Sequence, residues 1–244
     1  VEIDTEGGYI YWGRTGGVSR APIDGSGPIE EVYNDDMKML FVSDIAIDHA
    51  AGTIYFTSTE ATFEHSYINK GSLDGSTPYT TLIEQDFISV GNNIKLAAVD
   101  GMLYWASPYT QQVSMASLNG EFTPTVLFDS GDGLKGPAGI AIHKESGKIF
   151  ITDNGELNAA GENSILQGKL DGSGGLTSLV SAGSNVRTPY DAEIDAENGY
   201  FFWLNSVTDG GPASDIMRVK LDGTNVEKLF DGFDSGISFD IDVR

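Results

Sequence analysis

The chain has 244 residues, 36 of them acidic and 14 basic, which gives a formal net charge of −22 at pH 7. That balance excludes direct nucleic-acid binding, which depends on clustered Lys and Arg, and it disfavours an anionic membrane surface. The absence of cysteine excludes disulfides, thiolate catalysis and cysteine-ligated metal, while 40% hydrophobic and 10% aromatic residues are enough to fill a core.

No run approaches the length of a membrane-spanning helix. The first residues have neither the basic region nor the apolar region of a signal peptide, so a soluble chain without membrane insertion is expected, in a compartment the sequence does not specify. In chain order, one phrase recurs: an alternating strand ending in Asp, a Gly-containing turn, then a strand bearing two bulky residues. It reads Val1-Glu2-Ile3-Asp4 then Tyr11-Trp12, Ile45-Ala46-Ile47-Asp48 then Tyr55-Phe56, and Ala97-Ala98-Val99-Asp100 then Tyr104-Trp105. It continues with Ile140-Ala141-Ile142-His143 then Phe150-Ile151, and Ala192-Glu193-Ile194-Asp195 then Phe202-Trp203.

A second phrase follows each copy: Ile23-Asp24-Gly25, Leu73-Asp74-Gly75, Leu118-Asn119-Gly120, Leu170-Asp171-Gly172 and Leu221-Asp222-Gly223. Asp-Gly and Asn-Gly favour hairpin turns of type I′, which need positive φ at both central residues. Each unit therefore predicts four short antiparallel strands, and the period of about 48 residues is that of a β-propeller blade. Blades pack face to face, so each needs apolar side chains on both faces, and two adjacent bulky residues on one strand supply them.

At these residues the chain resembles the YWTD propeller family, the repeats of the low-density-lipoprotein receptor and its relatives. The resemblance rests on Tyr11-Trp12, Tyr104-Trp105 and Phe202-Trp203, on Phe150-Ile151-Thr152-Asp153, and on the Leu-Asp-Gly turns. It implies an all-β propeller of four-stranded antiparallel blades with the aromatic motif on the second strand, and a mainly protein-binding or ligand-binding role. The motif's final Asp persists only as Asp153; Arg14, Ser58, Ser107 and Asn205 stand at the other four positions. Six blades are the family norm, whereas the phrases occur five times. The expectation is one domain, residues 1–244, with five blades and a strand over 236–242 closing the fold against an open edge; six blades is the alternative.

Three connections between second and third strands are longer than the rest: Thr59 to Tyr67, Asn154 to Asn163 and Asn205 to Asp215. Loops on a rigid scaffold concentrate binding residues, so His65, Tyr67, Asn154 and Asp215 of these loops, with Tyr190 near the channel mouth, are the candidate ligand-binding positions. The strand-ending Asp4, Asp48, Asp100 and Asp195, with Asp242, read as caps of the short turns that follow, and His143 takes the same position in the fourth copy. Asp44 and Asp191 occupy identical registers four residues earlier. With Asn93, and with Asp234 as a further neighbour, they offer the oxygen ligands that Ca²⁺ prefers, at the mouth of the propeller's channel.

Three functional readings remain open, the last of them a purely structural interaction role. The first is a non-catalytic binding protein that takes a protein or glycan through the elongated-loop face. The second is a divalent-cation-dependent, lactonase-like hydrolase in which Asp44 and Asp191 hold the metal. The three histidines have no zinc-site spacing, and the Gly-rich turns lack the Lys and helix of a phosphate loop.

Overall fold

In the computed structural model the structure describes residues 1–86, 95–155, 162–181, 183, 185–206, 213–233 and 239–241. Among these residues twenty strands form five four-stranded sheets, each a meander of consecutive antiparallel strands. The first holds β1 (Glu2–Asp4), β2 (Tyr9–Arg14), β3 (Gly17–Pro22) and β4 (Glu30–Asn34), and the second β5 (Phe41–Asp48), β6 (Thr53–Thr59), β7 (His65–Ser72) and β8 (Thr80–Asp86). The third holds β9 (Lys95–Val99), β10 (Met102–Ser107), β11 (Gln112–Ser117) and β12 (Thr125–Phe128). The fourth holds β13 (Pro137–His143), β14 (Lys148–Asp153), β15 (Ser164–Lys169) and β16 (Thr177–Val180), and the fifth β17 (Pro189–Asp195), β18 (Tyr200–Asn205), β19 (Ser214–Lys220) and β20 (Glu227–Phe233). Among the described residues helix is confined to two 3₁₀ turns, Ser130–Asp132 and Lys144–Ser146. The fold is a β-propeller with five blades. Of the segment expected to close it, 236–242, only Phe239–Ile241 are described, and these three belong to no strand.

The chain divides into two compact units, Val1–Thr110 with Met115–Pro124, and Gln111–Ser114 with Thr125–Arg244. In the first, Tyr11, Val18 and Tyr33 of blade one pack against Ile45, Ile54 and Phe56 of blade two. The opposite face of blade two sends Ala46, Tyr55 and Ile68 against Leu96, Leu103 and Trp105 of blade three. Tyr55 and Phe56 are adjacent in sequence and point into different cores, 1% and 0% exposed, because successive side chains leave a strand on opposite faces. In the second unit Phe150 of blade four meets Phe201 and Trp203 of blade five, with the Phe150 and Phe201 ring centroids 5.6 Å apart.

The repeated phrases meet physically between blades one and two. The Tyr11 hydroxyl donates to the Leu73 carbonyl (3.1 Å), and Arg20 Nη1 donates to the same oxygen (3.2 Å). The aromatic motif of one blade thus latches the Leu-Asp-Gly turn of the next. Burial raises the Tyr11 pKa, and the Arg20 guanidinium opposes that rise.

The Asp-Gly turns differ from the type I′ form expected for them. Gly25, Gly75, Gly172 and Gly223 have φ of 70°, 70°, 72° and 83°, but the aspartates before them do not enter the left-handed region. Instead Asp24, Asp74, Asp171 and Asp222 each accept the backbone N–H two residues on, at 2.8–3.0 Å. Each glycine N–H closes its turn on the carbonyl three residues back (2.8–3.2 Å), the carboxylate adds an Asx bond, and only the glycine takes positive φ.

Gly13, which stands in the blade-one motif before Arg14, is set by packing. A Cβ there would lie 2.4 Å from the Val42 carbonyl oxygen on β5, a backbone atom that cannot swing aside. Gly13→Ala is therefore expected to destabilise the protein by about 1–3 kcal/mol through overpacking, measured as a lowered denaturant midpoint with unchanged m-value.

Candidate functional site

The β6–β7 connection folds around one carboxylate. Glu60 Oε1 accepts from Thr62 Oγ1 (2.7 Å) and from the His65 backbone N–H (2.9 Å), and it lies 2.8 Å from His65 Nδ1. Glu60 Oε2 accepts from the Tyr67 hydroxyl (2.7 Å). The hydrogen bonds from Thr62, Tyr67 and His65 hold the Glu60 pKa at about 2, while burial first, and the Glu60 contact next, push the Tyr67 phenol up. Tyr67 is only 3% exposed, so it supports the loop from beneath rather than lining its outer surface. The Lys38 ammonium stands 5.3 Å from its ring centroid.

This lock displays what lies above it. Phe63 has φ of 58°, an outlier for a bulky residue, and donates its N–H to the Glu60 carbonyl (3.1 Å). Its ring lies 5.9 Å from that of Phe41, and the two are 46% and 42% exposed. The Ala61 N–H donates to the Met37 carbonyl (2.9 Å), tying the loop to the β4–β5 connection. Met37 is 65% exposed on a turn held by Asp35, which accepts from the Met37 and Lys38 N–H groups and from the Tyr79 hydroxyl. Glu60, Glu64 and His65 form a possible metal-ligand cluster, with ligand atoms within 4.8 Å of one another. Both Glu60 oxygens already accept hydrogen bonds, so the group acts as a loop lock.

Asp44 and Asp191 lie in different units, each at a register shift in the first strand of its blade. Such a bulge re-aims a side chain. Asp44 Oδ2 accepts the Leu96 N–H (2.7 Å), and Asp191 Oδ2 accepts the Phe239 N–H (2.8 Å). Both are buried, and each joins its strand to a later stretch of backbone. Tyr190 adjoins Asp191 in the same bulge and is half-buried. Asn93, Asp234 and Asp242 lie outside the described residues.

Three of the strand-ending aspartates cap their turns, while Asp100 takes a positive φ of 54° before Gly101. Asp4, Asp48 and Asp195 each accept a backbone N–H three residues on (2.8–3.1 Å), and His143 Nδ1 bonds Ser146 Oγ in the same place. The last motif position fastens the connection that enters its own blade. Asp153 accepts from the N–H groups of Lys135 and Gly136, and Asn205 accepts from the Arg187 N–H and donates to the Asn185 carbonyl. Burial raises the Asp153 pKa against those donors. Asn154 follows directly, its N–H on the Gly136 carbonyl and its side-chain oxygen buried without a partner among the described residues. Asp215 is buried between Asn205 Nδ2 (2.8 Å) and Arg187 Nη2 (2.6 Å).

No protein-family model matches the chain. It is 27% identical over 175 residues to a protein named low-density lipoprotein receptor-related protein 1 of Pyricularia oryzae, a match covering 66% of this chain and 56% of that protein. A chain of the solved nidogen/laminin complex superposes with a TM-score of 0.71 at 20% identity, covering 95% of this chain and 79% of that one. The chain is a β-propeller whose repeated motif and fold are similar to those of YWTD-type propellers. A luciferin-regenerating enzyme superposes less closely, with a TM-score of 0.66 at 11% identity over 99% of this chain and 80% of that one. These identities speak for the fold; the chain spans just over half the length of the curated relative it matches. No helix among the described residues is long and apolar enough to cross a membrane.

Two outcomes follow for this propeller. The Glu60 pKa is depressed, so its contribution to loop stability is complete above pH 4.5, its ordinary value, and is lost as pH falls toward about 2. Backbone amide resonances of Thr62 and His65 are expected to shift together in that window, and Glu60→Gln should remove the transition. Asp44→Ala leaves the buried Leu96 N–H without its acceptor and should cost about 1–3 kcal/mol; Asp44→Asn keeps an acceptor oxygen and should cost less, both read by thermal unfolding.

Proposed function

We propose that this chain is a non-catalytic binding propeller that takes a protein partner on the blade-two surface formed by Met37, Phe41 and Phe63. The observation that carries the reading is Phe63. A bulky residue in the left-handed region is strained, and here the strain holds an aromatic ring half out of the protein beside another exposed ring. Local strain of this kind persists only where the surroundings enforce it, and it clusters at ligand clamps and switch regions. Exposed Phe and Met residues grouped on one surface are the ordinary composition of a protein-binding hot spot.

Charge narrows the partner. The patch is flanked by Asp36, Glu60 and Glu64 on a chain of net charge −22, so a segment carrying Lys or Arg beside apolar side chains complements it and is steered toward it. The solved nidogen/laminin complex supports the same direction by showing this fold in a protein–protein assembly. The hydrolase reading would draw on Asp44 and Asp191 as metal ligands. Each already accepts a backbone N–H, which favours the binding reading.

The test is selection of a peptide-display library on immobilised protein, alongside a glycan array. Enrichment of basic-aromatic peptides is expected, with binding reduced at least tenfold by Phe63→Gly and by Met37→Ser with Phe41→Ser. Phe63→Gly also relieves left-handed strain of about 1 kcal/mol, so lost binding should come without lost stability. Peptides that bind the variants as well as the parent, or a response confined to glycans, would overturn the proposal.

A further inference from the structure

Blade five carries a cleft of about 640 Å³ that the blade-two surface does not involve. Its walls bring Arg187, Lys228, Asp215 and Asp231 together over Met217 and Val226. The volume lies within the range of small-molecule sites, and an apolar floor with a few convergent polar groups is their usual make-up. Two cations against two carboxylates make this a locally neutral place on a strongly acidic chain.

The two cations are held differently. Arg187 is fixed at two points: its backbone N–H donates to Asn205 Oδ1, which is itself anchored by donation from Asn205 Nδ2 to the Asn185 carbonyl, and its Nη2 donates to the buried Asp215 (2.6 Å). Asp215 engages Nη2 alone, and Nε and Nη1 of Arg187 meet no acceptor among the described residues. A planar fork with unspent donors, oriented by a buried carboxylate, is a ready acceptor of a second carboxylate. Lys228 is paired with Asp231 (2.9 Å), and these side chains are 50% and 66% exposed. A solvated pair of this kind contributes little, so an incoming anion can replace Asp231 at Lys228 at small cost.

We propose that this cleft binds a small molecule made of an apolar body and one carboxylate. The carboxylate lies against Arg187 and Lys228, and the apolar body rests on Met217 and Val226. Asp215 and Asp231 disfavour a multiply charged anion such as a phosphate monoester, because like charges across a few ångströms repel. Asp215 also orients Arg187, which makes it a positioning residue rather than a ligand-contacting one.

The experiment uses the intact chain and two matched probe pairs, octanoate with octanamide and 3-phenylpropionate with 3-phenylpropanamide, followed by ¹H–¹⁵N chemical-shift titration. Saturable binding of at least one acid is expected, with its amide at least tenfold weaker and the shifts concentrated at Met217, Lys228 and Gly232. Lys228→Gln should weaken the acid at least fivefold, and Asp231→Asn should leave it unchanged or tighten it by removing the competing carboxylate. Because Arg187→Gln would orphan buried Asp215 and could fail for that reason alone, the two exposed variants carry the decision. Failure of both acids to saturate, equal binding of acid and amide, or weakened binding in Asp231→Asn would each overturn the proposal. None of these outcomes bears on the blade-two surface.

Discussion

Two-sided burial is the constraint on which this structure depends. A sheet in a sandwich hides one face; an interior blade of a propeller hides both, and its strands must carry apolar bulk in both directions. Tyr55 and Phe56 meet that demand with adjacent residues, each contributing about 1.5–3 kcal/mol of burial to a different core. Position then follows a rule within each unit. The first residue of the motif faces the next blade, as Tyr11, Tyr55 and Phe150 do, and the second faces the preceding one, as Phe56, Trp105 and Trp203 do.

Burying both faces leaves polar backbone where blades are joined, and single side chains resolve it. Asp44, Asp191, Asp153 and Asn205 all accept N–H groups from segments distant in sequence. The last two stand at the same motif position and do the same work with different chemistry, which explains why the motif's final Asp can be exchanged for an amide. Gly13 records the opposite pressure, an approach of blade two so close that no side chain fits.

Much of this was legible in the sequence, because a repeat states its structure several times. The strand order, the aromatic second strand, the turn positions and the capping role of Asp4, Asp48 and Asp195 all follow from residues in fixed register. The turn type did not follow, since Asp-Gly is compatible with more than one geometry, and here the glycine alone enters the left-handed region. The sites were harder still. His65 and Tyr67 belong to the loop that carries Phe63, yet nothing in the sequence distinguishes the exposed ring from the buried one, and Tyr67 lies underneath. Met37 and Phe41 come from a different connection and reach Phe63 only through tertiary folding. Asp215 was visible as a loop-end carboxylate, but its partner Arg187 lies in another connection, so the cleft had no local signature.

The Asx turns bear on how the protein behaves as a charged particle. Asp24, Asp74, Asp171 and Asp222 are exposed, and in each the hydrogen bond from the Ser or Thr two residues on is the largest influence drawing the pKa below the ordinary carboxylate value. On acidification these four give up their charge late, after carboxylates with no such donors. The turn that closes each of these hairpins thus also keeps one negative charge on the surface further into acid than the residue type alone implies.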